Sequence, residues 1–454
     1  MITGIDFQGS LIGECRLDAE RKSNDIFPAH ISGMPLSRDR WLITCATRGI
    51  RYHDDDHSII YQLRAKTPDG ALIREGMIQP SVTDYDPRGD GSAYVRLCRV
   101  PMPFGVPQGA LVGASVPAHS GLCGVIWCTS AAGTLDPVTG VRKYDAALEG
   151  STIHAEWCQF RLNAAGDDIE MLLPPQKMRQ VGYARGPAFC SHTAATTSIT
   201  PLVPALPLDP GCTEWCTTHH FNTGIAAIKL RYNPRAGLYE WVETGPALPQ
   251  HPDFAFSEGA LARSGTSWIM AVRARRERAR KTPDWAGGFS RDCGDTAWLK
   301  TADPFAPWPE PVILQEPNRI APFTLFTCAD RQLRLFSGDF TNSPHKQRRD
   351  PLYCWDVDPG DFSVSERHVV LDSVQAGIFA DDATPRSTCF CAVFPHMGGK
   401  VQLAATRAMA IRYRPGVEPN SPPVTAEQFA KFGVYYFKLH YAKDCPPAWR
   451  FTGN

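Results

Sequence analysis

Phe256-Ser-Glu-Gly-Ala-Leu-Ala-Arg-Ser-Gly-Thr-Ser-Trp-Ile-Met-Ala-Val-Arg273 reads as a hairpin. A carboxylate, Glu258, opens one strand. Gly265 turns the chain, and an alternating run from Trp268 to Val272 delivers Arg273. Two antiparallel strands joined in this way bring Glu258 and Arg273 to the same rim of a sheet. An acid paired with a guanidinium suits the recognition and chemistry of an acidic sugar. A surface salt bridge beside a hairpin is the plainer reading. What favours the first is recurrence of the same strand unit along the chain.

The unit is an apolar strand ending in a polar or basic residue, a loop, then a strand led by an aromatic and closed by an Asp-containing turn. Trp41–Arg48 is followed by Ser58–Arg64 and Pro68-Asp-Gly70. Trp268–Arg273 is followed by Ala297–Asp303 and Trp308, and Leu333–Ser337 by Asp350–Asp358. Val401–Arg407 is followed by Gly433–Lys438, and a weaker copy is Thr223–Arg231 with Leu238-Tyr-Glu-Trp241. A spacing of roughly 65 residues indicates a propeller blade rather than a helical pair. Short strands with regular turn signals dominate, and the best helix candidate is only Thr425–Phe432. The expected fold is all-β, a propeller of six or seven four-stranded blades forming one domain over residues 1–454.

Composition narrows the function. Lysine plus arginine and aspartate plus glutamate both number 47 in 454 residues, so no basic footprint points to nucleic acid. The basic run Arg273–Lys281 lacks interleaved aromatics and reads as a solvated loop or helix face. No apolar stretch reaches membrane-spanning length, and the start of the chain lacks the basic and apolar regions of a signal peptide. The default compartment is the cytoplasm, or the exterior if a leader has been removed. The 15 cysteines are odd in number and sit mostly in apolar runs, which suits buried thiols better than a disulfide framework. Cys212-x3-Cys216 near His219 and His220 lacks zinc-finger spacing. No metal and no cofactor is expected.

Taken together, these strands resemble the sialidase-like β-propellers, whose Asp-box repeats read Ser-x-Asp-x-Gly-x-x-Trp. Degenerate boxes stand at Ala297–Trp308 and Trp355–Phe362, where an Asp and an aromatic remain. The resemblance implies an exo-acting glycoside hydrolase whose partner is an acidic oligosaccharide or polysaccharide. It places an acid/base Asp after Arg48, where Asp54, Asp55 and Asp56 follow. It matches Ser257-Glu258…Arg273 to the family's Ser-Glu…Arg unit, and Arg348 or Arg349 to a later carboxylate-binding arginine. Two family residues have no counterpart: an arginine near Ile26-Phe27-Pro28 and a nucleophilic tyrosine near Arg386–Phe390.

The residues themselves allow related chemistry. In His53-Asp-Asp-Asp-His57, carboxylates sharing one site would raise at least one pKa toward a general-acid range. A solvated turn or a calcium loop are the other readings. Because alternate side chains of a strand face opposite ways, one or two of the three would reach a ligand. His219 and His220 precede a candidate inner strand, Gly224–Leu230, and could contact substrate or cap a turn. His119, His154, Tyr183 and Arg185 form an alternative set for a propeller polysaccharide lyase, in which an arginine neutralises a uronate carboxylate. A non-catalytic propeller that binds glycan or protein is a third class.

Overall fold

In the computed structural model the described residues are 1–12, 26–49, 56–80, 86, 89, 91, 93–131, 133–135, 142–144, 152, 154–182, 206–221, 224–276, 295–314, 319–339, 343–345, 349–380, 386–410 and 431–452. They form six antiparallel blades of four strands arranged as a β-propeller. The choice between six and seven blades thus falls on six.

From the axis outward, blade 1 consists of Ile26–Ser37, Arg40–Gly49, Asp56–Ala65 and Leu72–Gln79. Blade 2 has Arg96–Gly105, Cys123–Ala131, His154–Leu162 and Ile169–Lys177, and blade 3 has Leu206–Pro207, Glu214–Phe221, Gly224–Asn233 and Leu238–Ala247. Blade 4 has Phe254–Ser264, Ser267–Arg276, Asp295–Thr301 and Val312–Leu314, and blade 5 has Arg319–Thr327, Leu333–Asp339, Leu352–Val357 and Val364–Leu371. In blade 6 the first strand is split into Arg386–Ser387 and Ala392–Val393, followed by Gly399–Ala410 and Gly433–Cys445. Its fourth strand is the start of the chain, Ile2–Ile12, paired along Gly433–Cys445. Closing the ring in this way covers the faces of the first and last blades, and the radial arrangement leaves only short outer edges.

The second and third strands are apolar because both of their faces are covered by neighbouring blades. Cys123–Ala131 is buried at every residue, whereas Ile169–Lys177 at the rim is mostly exposed. Large aromatics fill the wedges between blades. Trp298 of blade 4 stacks on Phe362 of blade 5 at 5.4 Å between ring centres. The twelve described cysteines are buried thiols outside any disulfide, and burial pushes up the pKa of thiols such as Cys328 and Cys389, each to about 11.

One expectation needs correcting. The weaker repeat Thr223–Arg231 with Leu238–Trp241 is out of phase, because Gly224–Asn233 is the third strand of blade 3 and not its inner one. The true second strand, Glu214–Phe221, carries threonines and histidines in place of an apolar run. Blade 2 escaped the repeat altogether, because an extra hairpin of Gly133–Leu135 and Arg142–Tyr144 lies between its second and third strands. The Thr425–Phe432 helix lies almost wholly outside the described residues. Beyond blade 6 the chain crosses to blade 2, where Arg450–Phe451 pairs with Ala110–Leu111.

Candidate functional site at the axial mouth

Register gives the propeller two unlike faces. In blade 2, Arg96, Ala131 and His154 meet at one end of the sheet, and Gly105, Cys123 and Phe160 at the other. The same holds in every blade: one face, the mouth, collects the starts of first and third strands and the ends of second strands. Arg48, His219, His220 and Arg273 all lie toward the mouth ends of second strands. Glu258 lies near the mouth end of a first strand, and Arg349 in the connection between second and third strands of blade 5. In blade 1 the second strand ends at Gly49 and the third begins at Asp56 on this face; Asp54 and Asp55, between them in sequence, lie outside the described residues. Arg348, Tyr183 and Arg185 also fall outside them.

The innermost strands are irregular at one depth. The ladder of blade 1 is broken at His30, that of blade 2 at Val100-Pro101, and that of blade 4 at Ser257-Glu258. Blade 5 breaks between Ile320 and Thr324, and blade 6 between its two short pieces. Bulges of this kind kink a strand and re-aim side chains, and they concentrate beside active sites. His30, Val100 and Phe390 take positive φ values of 38°, 49° and 75°. A left-handed Val or Phe costs energy, and residues held so cluster at ligand sites. All three line one cavity of about 60 Å³ on the axis, together with Met102, Thr324 and Cys391.

In blade 4 the Ser257-Glu258 bulge faces Arg273, since Phe256 pairs with Ala274 and Gly259 with Val272. Arg273 is 2% exposed. Arg407 holds the corresponding place in blade 6, opposite the gap in the split first strand. Its Nη1 donates to His30 Nε2 at 2.8 Å, its Nη2 donates to Ser387 Oγ at 3.4 Å, and its Cζ sits 3.8 Å from the Phe390 ring centre. Arginine can only donate, so His30 Nε2 accepts and the imidazole is neutral with its proton on Nδ1.

A buried network holds Arg349 from behind. Its carbonyl accepts from Thr388 N at 2.7 Å and from Thr388 Oγ1 at 2.8 Å. The next residue, Asp350, is fully buried; it accepts from Ser373 N and Oγ at 3.1 and 2.6 Å and faces Arg386 Nε at 3.2 Å. Burial pushes the Asp350 carboxyl above its usual range, with Ser373 and Arg386 opposing. Arg386 also donates to the carbonyl of Ala380. Beside them His345 Nε2 meets Asp372 at 2.9 Å.

Of the alternative lyase set, the two described members, His119 and His154, lie apart. His119 lies on the face opposite the mouth, packed against Tyr232 and hydrogen-bonded to the Cys212 carbonyl at 3.2 Å. His154 is at the mouth end but buried, with Nε2 3.1 Å from Glu156 Oε1 and Nδ1 2.8 Å from the Thr152 carbonyl. Glu156 is held low despite its burial by hydrogen bonds from His154 and Thr129. No cluster of three or more metal-ligating side chains occurs among the described residues.

Sequence reasoning missed Arg386, Arg407, His30 and Asp350 as site residues. Arg407 closes a repeat strand as Arg48 and Arg273 do, and that shared position was its signal. His30 carried none, because a bulge leaves no periodic trace.

The class these features define is a six-bladed β-propeller whose arginines gather at the mouth of its axis. A protein of unknown function from Dyadobacter fermentans has this fold, with a TM-score of 0.53 at 8% identity, covering 97% of this chain and 100% of the other. Trypanosoma rangeli sialidase gives a TM-score of 0.49 at 8% identity over 91% of this chain and 54% of its own. For the Hadza microbial sialidase Hz136 the values are 0.47, 10%, 88% and 66%. The chain thus spans about half the length of the trypanosomal enzyme. No protein family and no curated protein matches it by sequence.

Proposed function

We propose that this protein is a carbohydrate-active enzyme, an exo-acting glycoside hydrolase of sialidase type that takes an acidic sugar at the mouth. The observation that carries the reading is the blade 4 register, which sets Arg273 across from the Ser257-Glu258 bulge. Arg48, Arg273 and Arg349 hold the sugar carboxylate, with Arg348 beside them, because a guanidinium fork matches a carboxylate in two parallel hydrogen bonds. His219 and His220 contact the sugar from blade 3. Asp54 or Asp55 protonates the leaving oxygen as the glycosidic bond breaks. The resemblance's nucleophilic tyrosine has no counterpart near Arg386–Phe390 in the sequence, and we assign the attack to water, with Glu258 taking its proton. The Asp303 and Asp358 turns fit the Asp-box reading: Asp303 Oδ1 accepts from Phe305 N at 2.9 Å, and Asp358 Oδ1 from Gly360 N at 2.6 Å.

The test uses sialic acid and uronic acid glycosides, followed by reducing-sugar release and by the absorbance of unsaturated uronate. Asp54→Asn and Asp55→Asn are made separately. One of them should lose about 10²–10⁴-fold in turnover on natural glycans, and much less on substrates with a good leaving group. Full activity in both sinks the acid assignment. Unsaturated uronate would indicate a lyase, and binding without turnover a lectin-like propeller.

A further inference from the structure

We propose that Arg407 is the guanidinium that meets the sugar carboxylate on the axis, and that Phe390 covers it until the sugar arrives. This rests on the acidic-sugar reading of the mouth and adds a residue and a gating side chain to it. Arg407 comes from the second strand of blade 6, and its hydrogen bond to His30 crosses the seam where the last blade meets the first. The innermost strand of blade 1, Ile26–Ser37, carries no arginine. Blade 6 thus brings a guanidinium to a sector that blade 1 does not supply.

The way Arg407 is held suits an anion site. His30 accepts from one arm of the guanidinium and fixes its direction. Ser387 steadies the second arm of the fork. Phe390 lies over the guanidinium and edge-on to His30, at 4.1 Å between ring centres. A cation is stable against an aromatic face, but a carboxylate offers it more. Phe390 is only partly buried, has a left-handed backbone and forms part of the cavity wall. Rotation of this one ring would open Arg407 to the cavity while leaving its His30 contact in place. Arg407 stands opposite the gap in the split inner strand of blade 6, and Arg273 opposite the inner-strand bulge of blade 4. The sugar carboxylate would then be gripped from two sides of the axis.

Calorimetric titration with N-acetylneuraminic acid and glucuronic acid, with galactose as the neutral control, tests this. The proteins are the wild type, Arg407→Ala, Arg407→Lys, Phe390→Ala and Arg273→Lys. Arg407→Ala should weaken acidic-sugar binding at least tenfold, and Arg407→Lys by a smaller factor. Phe390→Ala should bind severalfold more tightly, because the cover is gone. If Arg407→Ala fails to fold, Arg407→Lys decides, since it keeps the charge and most of the volume. Wild-type affinity in the Arg407 variants, with Arg273→Lys weakened, overturns the inference and leaves the acidic-sugar reading standing. A wild type that binds neither acid overturns both.

Discussion

The two faces of the propeller both hold residues in the left-handed region, for different reasons. On the face away from the mouth these are Lys66, Cys212, Arg331 and Phe362. Each sits in a tight turn whose own hydrogen bonds demand the conformation: Cys212 N bonds to the Asp209 carbonyl, Arg331 N to that of Cys328, and Phe362 N to that of Asp358. Turn chemistry accounts for them fully. On the mouth side His30 and Val100 lie inside innermost strands and Phe390 in the gap of the split one, and all three converge on one cavity. One face uses unusual backbone to reverse the chain, the other to shape a site.

The same contrast runs through the charges. Away from the mouth, Arg334 is fully buried and saturated, with Asp330 bidentate at 2.6 and 2.8 Å and Asp356 at 2.7 Å. At the mouth the described contacts of Arg407 are an imidazole, a hydroxyl and a ring. If the first face is scaffold and the second site, substitutions should separate stability from binding.

The largest effect should come from Arg334→Ala. It strands two carboxylates, and should cost about 3–5 kcal/mol of stability by denaturant titration. Acidic-sugar affinity measured below the new transition should stay unchanged; a parallel loss of affinity would break the division between faces. Arg273→Lys should act the other way. It should lose about 1.5–3 kcal/mol of acidic-ligand binding, or roughly 10- to 150-fold, with the fold kept. Unchanged binding in both Arg273→Lys and Arg273→Ala would retire the clamp.

Acid should weaken the scaffold face. Burial works against the Asp330 charge, but the Arg334 fork and the Met1 ammonium outweigh it and hold the carboxyl at about 2. A depressed carboxyl contributes stability that is complete above its unfolded value, near 4, and is lost as pH falls toward about 2. Melts between pH 5 and pH 2.5 should show a loss on the order of 1–2 kcal/mol. Asp330→Asn should be less stable at pH 5 and should flatten that slope. The smallest effect is expected from Lys66→Gly. Relief of an exposed left-handed residue, offset by the greater freedom of unfolded glycine, should leave a gain of under about 1 kcal/mol and no change in binding.

The hairpin from Phe256 to Arg273 was legible because its information is local. Eighteen residues contain both strands, the turn and the acid–arginine pairing, and period-two alternation decides which residues are buried. The same locality exposed the repeat and hence the propeller class. It failed in blade 2, where an inserted hairpin hides the period, and in blade 3, where a polar second strand shifted the phase.

Arg407 and His30 are 377 residues apart, and no pattern in either neighbourhood announces the other. Their meeting depends on six blades closing into a ring, with Ile2–Ile12 completing blade 6. The bulges, the axial cavity and the buried Asp350–Arg386 pair likewise exist only once neighbouring blades fix where each inner strand must bend. The sequence alone determined the strand, the repeat and the arginine at the end of the second strand. Which of those arginines face a common axis was decided by ring closure, because contacts between distant blades form only when the whole circle is built.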